Sequence, residues 1–177
     1  MDWWVELLEG KNVNLRVMQK EDVGFLCETV KSRLSKTEAE RRFENPSPLA
    51  ILTERTRFVI ERKDGIKVGI IANYLVLPSK RMEIGYDLIP SERGKGYGTE
   101  AVQIIVDYLF LTKNIVRIQA VTNVDNIRSR RVLEKAGFIK EGTLRRVSRI
   151  GQEWGDALIY SVLREEWKEP KILTKTA

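Results

Sequence analysis

The segment 81–112 constrains the fold most, because a strand pattern passes through closely spaced glycines directly into a helix pattern. "RMEIGYDLI" (81–89) alternates apolar and polar residues, as a strand does. Alternate positions are then occupied by Gly94, Gly96 and Gly98. Residues 98–112 repeat apolar side chains at helical spacing. Such a turn at a helix N-terminus presents unpaired amide N–H groups, which is typical of an anion-binding site in an α/β protein.

The remaining patterns complete a mixed α/β chain. Further strands are predicted at 13–17, 57–62, 67–77, 115–122, 138–148 and 153–167, the last of them ending the sheet. Helices are predicted at 21–32, 35–43 and 127–137. Residues 45–54, with two prolines, are predicted to form a loop. The order β α α β β β α β α β β predicts one sheet with flanking helices in a single domain over 1–177.

Composition limits the classes of protein to consider. The 177 residues are 42% hydrophobic and 32% charged, which suits one globular domain with its own core. Cys27 is the sole cysteine, so no intrachain disulfide forms and a reducing compartment is expected. No apolar run approaches the roughly 20 residues of a membrane span, and "MDWWVELLEG" lacks the basic start of a secretory signal. We therefore expect a cytoplasmic protein with no membrane partner.

Positive charge is concentrated in one region. Between Asn126 and Ile150 there are eight basic residues against Glu134 and Glu141, which accounts for the whole net charge of +6. A localised basic zone indicates an anionic partner at one place. Nucleic acid and a polyphosphate cofactor both satisfy this, although Val132, Leu133 and Ala136 suggest that helix 127–137 packs into the core, which makes nucleic acid the weaker alternative.

Histidine is absent from the sequence. This excludes histidine-based catalytic triads and acid–base chemistry, and with one cysteine it leaves no ordinary zinc site, so no metal is expected. Any chemistry must use carboxylates, hydroxyls, tyrosines, backbone amides or a lysine of shifted pKa.

The glycine turn matches neither common phosphate motif. A P-loop would need glycine where Ile89 stands and a hydroxyl residue where Gly96 stands. A dinucleotide fingerprint would need its third glycine at Thr99, and no acidic residue ends a strand about 20 residues later. A glycine-rich turn without a ligand remains an alternative.

The spacing that fits is Arg-x-x-Gly-x-Gly, at Arg93, Gly96 and Gly98. "IGYDLIPSERGKGYGTEA" resembles the acetyl-CoA-binding segment of the GCN5-related N-acetyltransferases (GNAT superfamily). "NVDNIRSRRVLEKAGF" resembles the second motif of that superfamily, at Asn126, Ser129, Gly137 and Phe138. "LRVMQKEDVGFL" and "DALIYSVLREEW" are similar to the RimJ/RimL-like (ribosomal-protein-alanine acetyltransferase) branch. The resemblance covers about 8–168 and leaves a short tail, 169–177.

The resemblance implies the GNAT fold, a central and mostly antiparallel sheet in which strand 81–89 splays from a parallel neighbour at 115–122. It also implies acetyl-CoA as acetyl donor, with the pantetheine arm on one side of the splay and the pyrophosphate on the glycine turn. The cofactor-binding residues that it implies are Leu88, Ile89, Arg93, Gly94, Lys95, Gly96, Tyr97, Gly98, Thr99, Asn126, Ser129 and Arg131.

Two residues are candidates for proton transfer. Glu83 stands where the resemblance places a glutamate that accepts the proton of the acceptor amine, and a chain of waters is the alternative base. The tyrosine that commonly serves as acid is replaced by Leu133, so Ser129 is the candidate acid, with Tyr160 second. For Ser129, contact with the cofactor or helix capping is the alternative role.

The acceptor site is predicted at the two early helices (21–43), the loop 45–54 and the turn 147–154. Residues 20–44 carry six basic and six acidic side chains, so no acidic trough indicates a polyamine or an aminoglycoside. The resemblance implies a protein N-terminal α-amino group, as in ribosomal-protein acetylation. A small amine such as spermidine and a non-catalytic acyl-CoA-binding regulator stay open, and so does a homodimer.

Overall fold

The computed structural model describes residues 6–30, 35–79, 81–150 and 153–172. They form one eight-stranded sheet in the order β1-β2-β3-β4-β5-β6-β8-β7. The strands are β1 (Leu7–Glu9), β2 (Val13–Val17), β3 (Thr56–Arg62), β4 (Lys67–Val76), β5 (Arg81–Leu88), β6 (Arg117–Asn123), β7 (Ile139–Ile150) and β8 (Glu153–Leu163). The α-helices are α1 (Val23–Thr29), α2 (Lys36–Glu44), α3 (Pro48–Leu52), α4 (Tyr97–Thr112) and α5 (Ile127–Ala136).

The sheet is antiparallel except at its centre, where β5 and β6 run parallel. Their pairing covers only Arg81–Glu83 against Arg117–Gln119, and beyond it the two strands part. The predicted mixed α/β fold with one splayed parallel pair is therefore confirmed. The gap opens toward the glycine turn that precedes α4.

Helices cover both faces of the sheet. Successive residues of β3 contact the helices on opposite faces of the sheet. Phe58 and Ile60 belong to the core under α4 and α5, whereas Val59 packs against α1 and α2. Helix α4 fixes the larger layer, with Ile105 and Leu109 fully buried. Burial of each such side chain contributes about 1.5–3 kcal/mol. The smaller layer lies opposite and leaves room between helix and sheet.

Two short elements differ from the sequence prediction. β1 was not predicted, because three residues are too few to show a strand period. The loop prediction for 45–54 was wrong in part, because α3 forms within it. Pro48 occupies the first helical position, where a missing N–H costs nothing, and the Ser47 hydroxyl accepts the Ala50 amide at 3.2 Å. The prolines therefore start a helix here.

The predicted position of the last strand was also wrong. β8 lies between β6 and β7, so β7 forms the edge, and β8 stops at Leu163. Arg164 then turns away and donates to the carbonyls of Phe110, Lys113 and Ile115 near the end of α4. It satisfies carbonyls left without partners there. The chain continues across the core, where the Ile172 amide donates to Asp107 at 2.8 Å.

Candidate active site

The glycine turn adopts a backbone that only glycine accepts readily. Gly94 has φ +80° and Gly96, directly before α4, has φ +90°. A Cβ built at either position meets no described atom within 4 Å, so the turn borders open space that a side chain would fill. The first α4 hydrogen bond runs from the Glu100 amide to the Gly96 carbonyl, at 3.1 Å. The amides of residues 97–99 therefore have no partner within α4 and are available to a ligand.

The start of α4 is anchored from the opposite side. The Glu100 carboxylate accepts hydrogen bonds from the Asn12 amide at 2.7 Å, the Asn12 side chain at 2.7 Å and the Val13 amide at 3.2 Å. These bonds tie the first turn of α4 to the β1–β2 connection. The glycine turn is consequently held in place by residues that do not line the cleft between it and α5.

A cleft of about 560 Å³ separates the glycine turn from the first turns of α5. Nine of the predicted cofactor-binding residues line it: Leu88, Arg93, Gly94, Gly96, Gly98, Thr99, Asn126, Ser129 and Arg131. Arg128 and Lys135 line it as well, so part of the basic zone faces the glycine turn. We call this space the donor cleft.

Three predicted cofactor residues lie outside the donor-cleft lining. The Ile89 amide donates to the Val68 carbonyl at 3.0 Å, and its carbonyl accepts from the Glu92 amide at 3.0 Å. Lys95 turns back to Glu92, at 3.0 Å, and Tyr97 packs against the core. The backbone groups of Ile89 therefore stabilise the turn that follows β5.

The donor cleft fits acetyl-CoA in shape and charge. A pyrophosphate needs outward amides, a cradle free of Cβ atoms and positive side chains, and the glycine turn with Arg128, Arg131 and Lys135 offers all three. When bound, acetyl-CoA supplies an acetyl group activated as a thioester. Beyond Glu83, β5 is not paired with β6, and this edge of β5 would hold the pantetheine arm, although the Leu88 carbonyl accepts from the Arg93 side chain at 2.9 Å.

Ser129 forms a hydrogen-bonded pair with a tyrosine that the sequence reasoning missed. Asn126 caps α5 by accepting the Ser129 amide at 3.1 Å, so the serine hydroxyl is not the cap. The hydroxyl oxygens of Ser129 and Tyr86 lie 3.0 Å apart, and Tyr86 also donates to the Ser129 carbonyl at 3.1 Å. Burial raises the pKa of Tyr86 to about 12. Tyr86 has the same parity as Met82 and Ile84, so strand alternation places it on the α4 side of the sheet.

Glu83 lies where β5 and β6 separate. It is opposite Gln119 in the last β5–β6 pair, and Gln119 donates to its carboxylate at 2.7 Å. The Tyr74 hydroxyl donates to the second carboxylate oxygen. Burial, and secondly this hydrogen bond, raises the pKa of Tyr74 above its usual value. The carboxylate is thus held by two donors at the head of the gap.

The other two positions weighed for the acid face the interior. Leu133 is fully buried in the core. Tyr160 is also fully buried, and its hydroxyl donates to Glu134 at 3.0 Å. Among the residues described, the hydroxyls bordering the donor cleft near the gap are therefore those of Ser129 and Tyr86.

A second space, which we call the acceptor pocket, lies on the other face of the sheet. It measures about 520 Å³ and is bounded by α1, α2 and strands β3 to β5. Tyr86 and Asp87 line both the acceptor pocket and the donor cleft, so the two spaces meet in the gap beyond Glu83.

The predicted acceptor elements are only partly brought together. Both early helices line the acceptor pocket, while the 45–54 segment lines an adjoining cavity of about 820 Å³. In the predicted turn 147–154, residues 151–152 lie outside the described residues, as do the side chains of 148–150. Sequence reasoning missed Arg55 and Arg57 in the pocket lining. The alternation of β3 was the available signal, since Arg57 shares the α1 face with Val59.

The chain belongs to the GNAT family of acetyltransferases: the family description "Acetyltransferase (GNAT) domain" matches residues 12–139. The family resemblance of the sequence motifs is thereby confirmed. Across the described parts of the chain, no group of three or more metal-ligating side chains is present, and no helix is long and apolar enough to cross a membrane.

Curated relatives are consistent with this membership. An uncharacterized N-acetyltransferase of Bacillus subtilis (strain 168), YnaD, is 38% identical over 109 residues, 62% of this chain and 64% of that protein. The match thus spans less than two thirds of YnaD. An uncharacterized N-acetyltransferase of Bacillus licheniformis, p20, is 28% identical over 92% of this chain and 99% of that protein.

Solved structures share the fold. A spermidine N-acetyltransferase SpeG chimera from Vibrio cholerae and hSSAT has a TM-score of 0.78 at 21% identity, covering 89% of this chain and 98% of that one. RimL, a ribosomal L7/L12 alpha-N-protein acetyltransferase solved in complex with coenzyme A, has a TM-score of 0.78 at 18% identity, covering 91% and 99%. At these identities the likeness establishes the fold alone.

Proposed function

We propose that this protein transfers the acetyl group of acetyl-CoA to a primary amine, namely the α-amino group of a protein N-terminus. One observation carries the proposal: the donor cleft and the acceptor pocket lie on opposite faces of the sheet and meet at Tyr86 and Asp87. Two reactants held on either side of one gap gain the advantage of fixed proximity.

The side chains at the gap account for the proton transfers. The amine nitrogen forms a bond to the acetyl carbon, the carbon–sulfur bond breaks, and one amine proton must leave while the sulfur gains one. Glu83 heads the gap but lies in the lining of neither space, so its carboxylate accepts the amine proton through an intervening water. The Ser129 hydroxyl supplies the proton to the sulfur and is reprotonated from solvent along its hydrogen bond with Tyr86, while Glu83 releases the amine proton to solvent.

The choice of a protein N-terminus draws on the RimL-like motifs and on the size of the acceptor side. The acceptor pocket and its adjoining cavity share Arg42, Phe43, Arg55 and Arg57 in their linings. Together they form an extended space that suits several residues of a peptide. A polyamine is the second candidate, favoured by the likeness to the spermidine acetyltransferase fold.

A thiol-release assay tests this function. The purified chain is mixed with acetyl-CoA and with peptides bearing a free N-terminus, the same peptides N-terminally blocked, or spermidine. We expect release of coenzyme A only with the free peptides. Turnover with spermidine alone would overturn the choice of acceptor. Acetyl-CoA binding without turnover of any amine would overturn catalysis and favour an acyl-CoA-binding regulator.

A further inference from the structure

The acceptor pocket carries an excess of positive charge. Arg42, Arg55 and Arg57 line it, and Asp87 is the one carboxylate among its lining residues. Asp87 is already paired with Arg93, at 3.2 Å, on the donor side. Among the lining residues that the structure describes, three guanidinium groups therefore stand against one carboxylate that is already paired.

The three arginines differ in how they are satisfied. Arg42 is exposed and paired with Glu38 at 2.7 Å, and Arg55 lies over the Tyr74 ring, 5.6 Å from its centroid. Arg57 is half-buried. Burial, and secondly the neighbouring charge of Arg55, lowers the pKa of Arg57, and no described acid offsets either effect. Arg57 is thus a desolvated cation that lacks a counter-ion within the described chain.

An anion entering the acceptor pocket would relieve this situation. A guanidinium binds a carboxylate through two parallel hydrogen bonds, and such charged bonds are stronger than neutral ones. A polycation would instead meet like charge in a partly desolvated space, which raises its free energy. The charge of the pocket therefore selects against a polyamine and for an acceptor with a negative group.

The pocket floor leaves a path from the arginines to the gap. Ala72 and Gly85 are paired across β4 and β5, and a Cβ built at Gly85 meets no described atom within 4 Å. Small side chains at this point keep the floor low between Arg57 and Tyr86. An acceptor can lie across it with its amine at the gap and an anionic group against Arg57.

We propose that the acceptor is the N-terminal segment of a protein with an acidic residue close behind its α-amino group, whose carboxylate binds Arg57. This rests on the proposed function, since it assigns the acceptor pocket to the amine substrate. Arg55 strengthens the positive field, and Arg42 closes the pocket from α2.

Matched peptides test the inference. Thiol release is measured with two heptapeptides that differ only by Asp or Asn at position 2 or 3, and with free aspartate as a second source of carboxylate. Charged hydrogen bonds of this kind are worth about tenfold or more. We expect kcat/KM to be about tenfold higher for the Asp peptide, with free aspartate a poor acceptor. Preference for free aspartate would overturn the peptide assignment.

Two variants assign the preference to Arg57. Arg57→Gln should reduce the Asp-to-Asn ratio of kcat/KM to about one, and Arg57→Lys should retain part of it, with the acetyl-CoA KM unchanged in both. Lys63→Gln, in the β3–β4 turn and outside both linings, removes equal charge and should keep the wild-type ratio.

The outcomes separate this inference from the proposed function. Equal kcat/KM for the two peptides in the wild type overturns the acidic acceptor while leaving the transferase intact. This comparison needs no variant, so it stands even if Arg57→Gln fails to fold. Absence of turnover with every amine overturns the proposed function itself.

Discussion

The donor cleft and the acceptor pocket meet at one gap but are built in opposite ways. The donor cleft is formed by two continuous segments, 86–99 and 126–135, and its central feature is backbone. The acceptor pocket draws side chains from five separate segments between residues 23 and 87. A family can therefore keep one donor site while each member changes its acceptor, because altering side chains leaves the backbone cradle intact.

The same difference explains what the sequence could predict. Gly94 and Gly96 could be recognised from the sequence, because a turn with positive φ beside open space requires glycine at a fixed spacing. Strand alternation places Arg57 on the α1 face, but the pocket there depends on how α1 and α2 pack, which no local motif shows. Tyr86 was missed for the same reason, since its partner Ser129 is 43 residues away.

The fold was predictable to a similar extent. Long periodic elements such as α4 and β4 were found from sequence, and the parallel splay came with the family resemblance. The insertion of β8 between β6 and β7 depends on long-range pairing that strand periodicity does not encode. α3 was hidden because its prolines suggested a break.

The largest expected effect is a loss of protein stability that comes from the α1 side and leaves the donor cleft unchanged. Asp22, 1% exposed and directly before α1, accepts from Arg16 at 3.0 Å, from Lys67 at 2.5 Å and from the Gln19 amide at 2.8 Å. Asp22→Asn breaks a buried charge network and should cost about 3 kcal/mol in the free energy of unfolding by urea. Acetyl-CoA affinity of the folded protein should not change, since α1 does not line the donor cleft.

Asp22 also makes the stability of the fold depend on pH. Burial disfavours the Asp22 carboxylate, but the bonds from Arg16, Lys67 and Gln19 outweigh it and lower its pKa from 3.8 to about 2. The folded value lies below the unfolded one, so this stabilisation is complete above about pH 4 and is lost as the pH falls toward 2. Asp64 forms an exposed ion pair with Arg62 at the β3–β4 turn. Asp64→Asn is therefore the control and should lower the free energy of unfolding by less than about 1 kcal/mol.

Glu83→Gln tests the gap that joins the regions. An amide keeps the shape of the side chain but cannot accept the amine proton, so kcat should fall about 100-fold. Tyr74→Phe is the matched variant, because it removes one donor to Glu83 and leaves the carboxylate. An unchanged kcat in Glu83→Gln would assign the base to a chain of waters instead.

A smaller effect is expected for Ser129→Ala, about tenfold or more in kcat, because the Tyr86 hydroxyl remains nearby. The pKa of Tyr86, raised to about 12, keeps it protonated as a donor well above neutral pH. Acetyl-CoA affinity, measured by calorimetry, should stay within about twofold, since Asn126 and not Ser129 caps α5. Parallel losses of kcat and affinity would make Ser129 a cofactor contact.

The smallest expected effect tests the backbone origin of the donor cleft. Gly96→Ala puts a Cβ on a residue at φ +90°, a conformation that costs an L-residue roughly 1–2 kcal/mol. The turn without ligand therefore relaxes to another conformation, and acetyl-CoA binding must return it to the original one. The Kd of acetyl-CoA should rise about tenfold. Gly65→Ala, at φ +82° with equally open space in the β3–β4 turn, carries the same strain far from the cleft lining. Weaker binding in both variants would trace the effect to lost stability, whereas weaker binding in Gly96→Ala alone assigns it to the cradle.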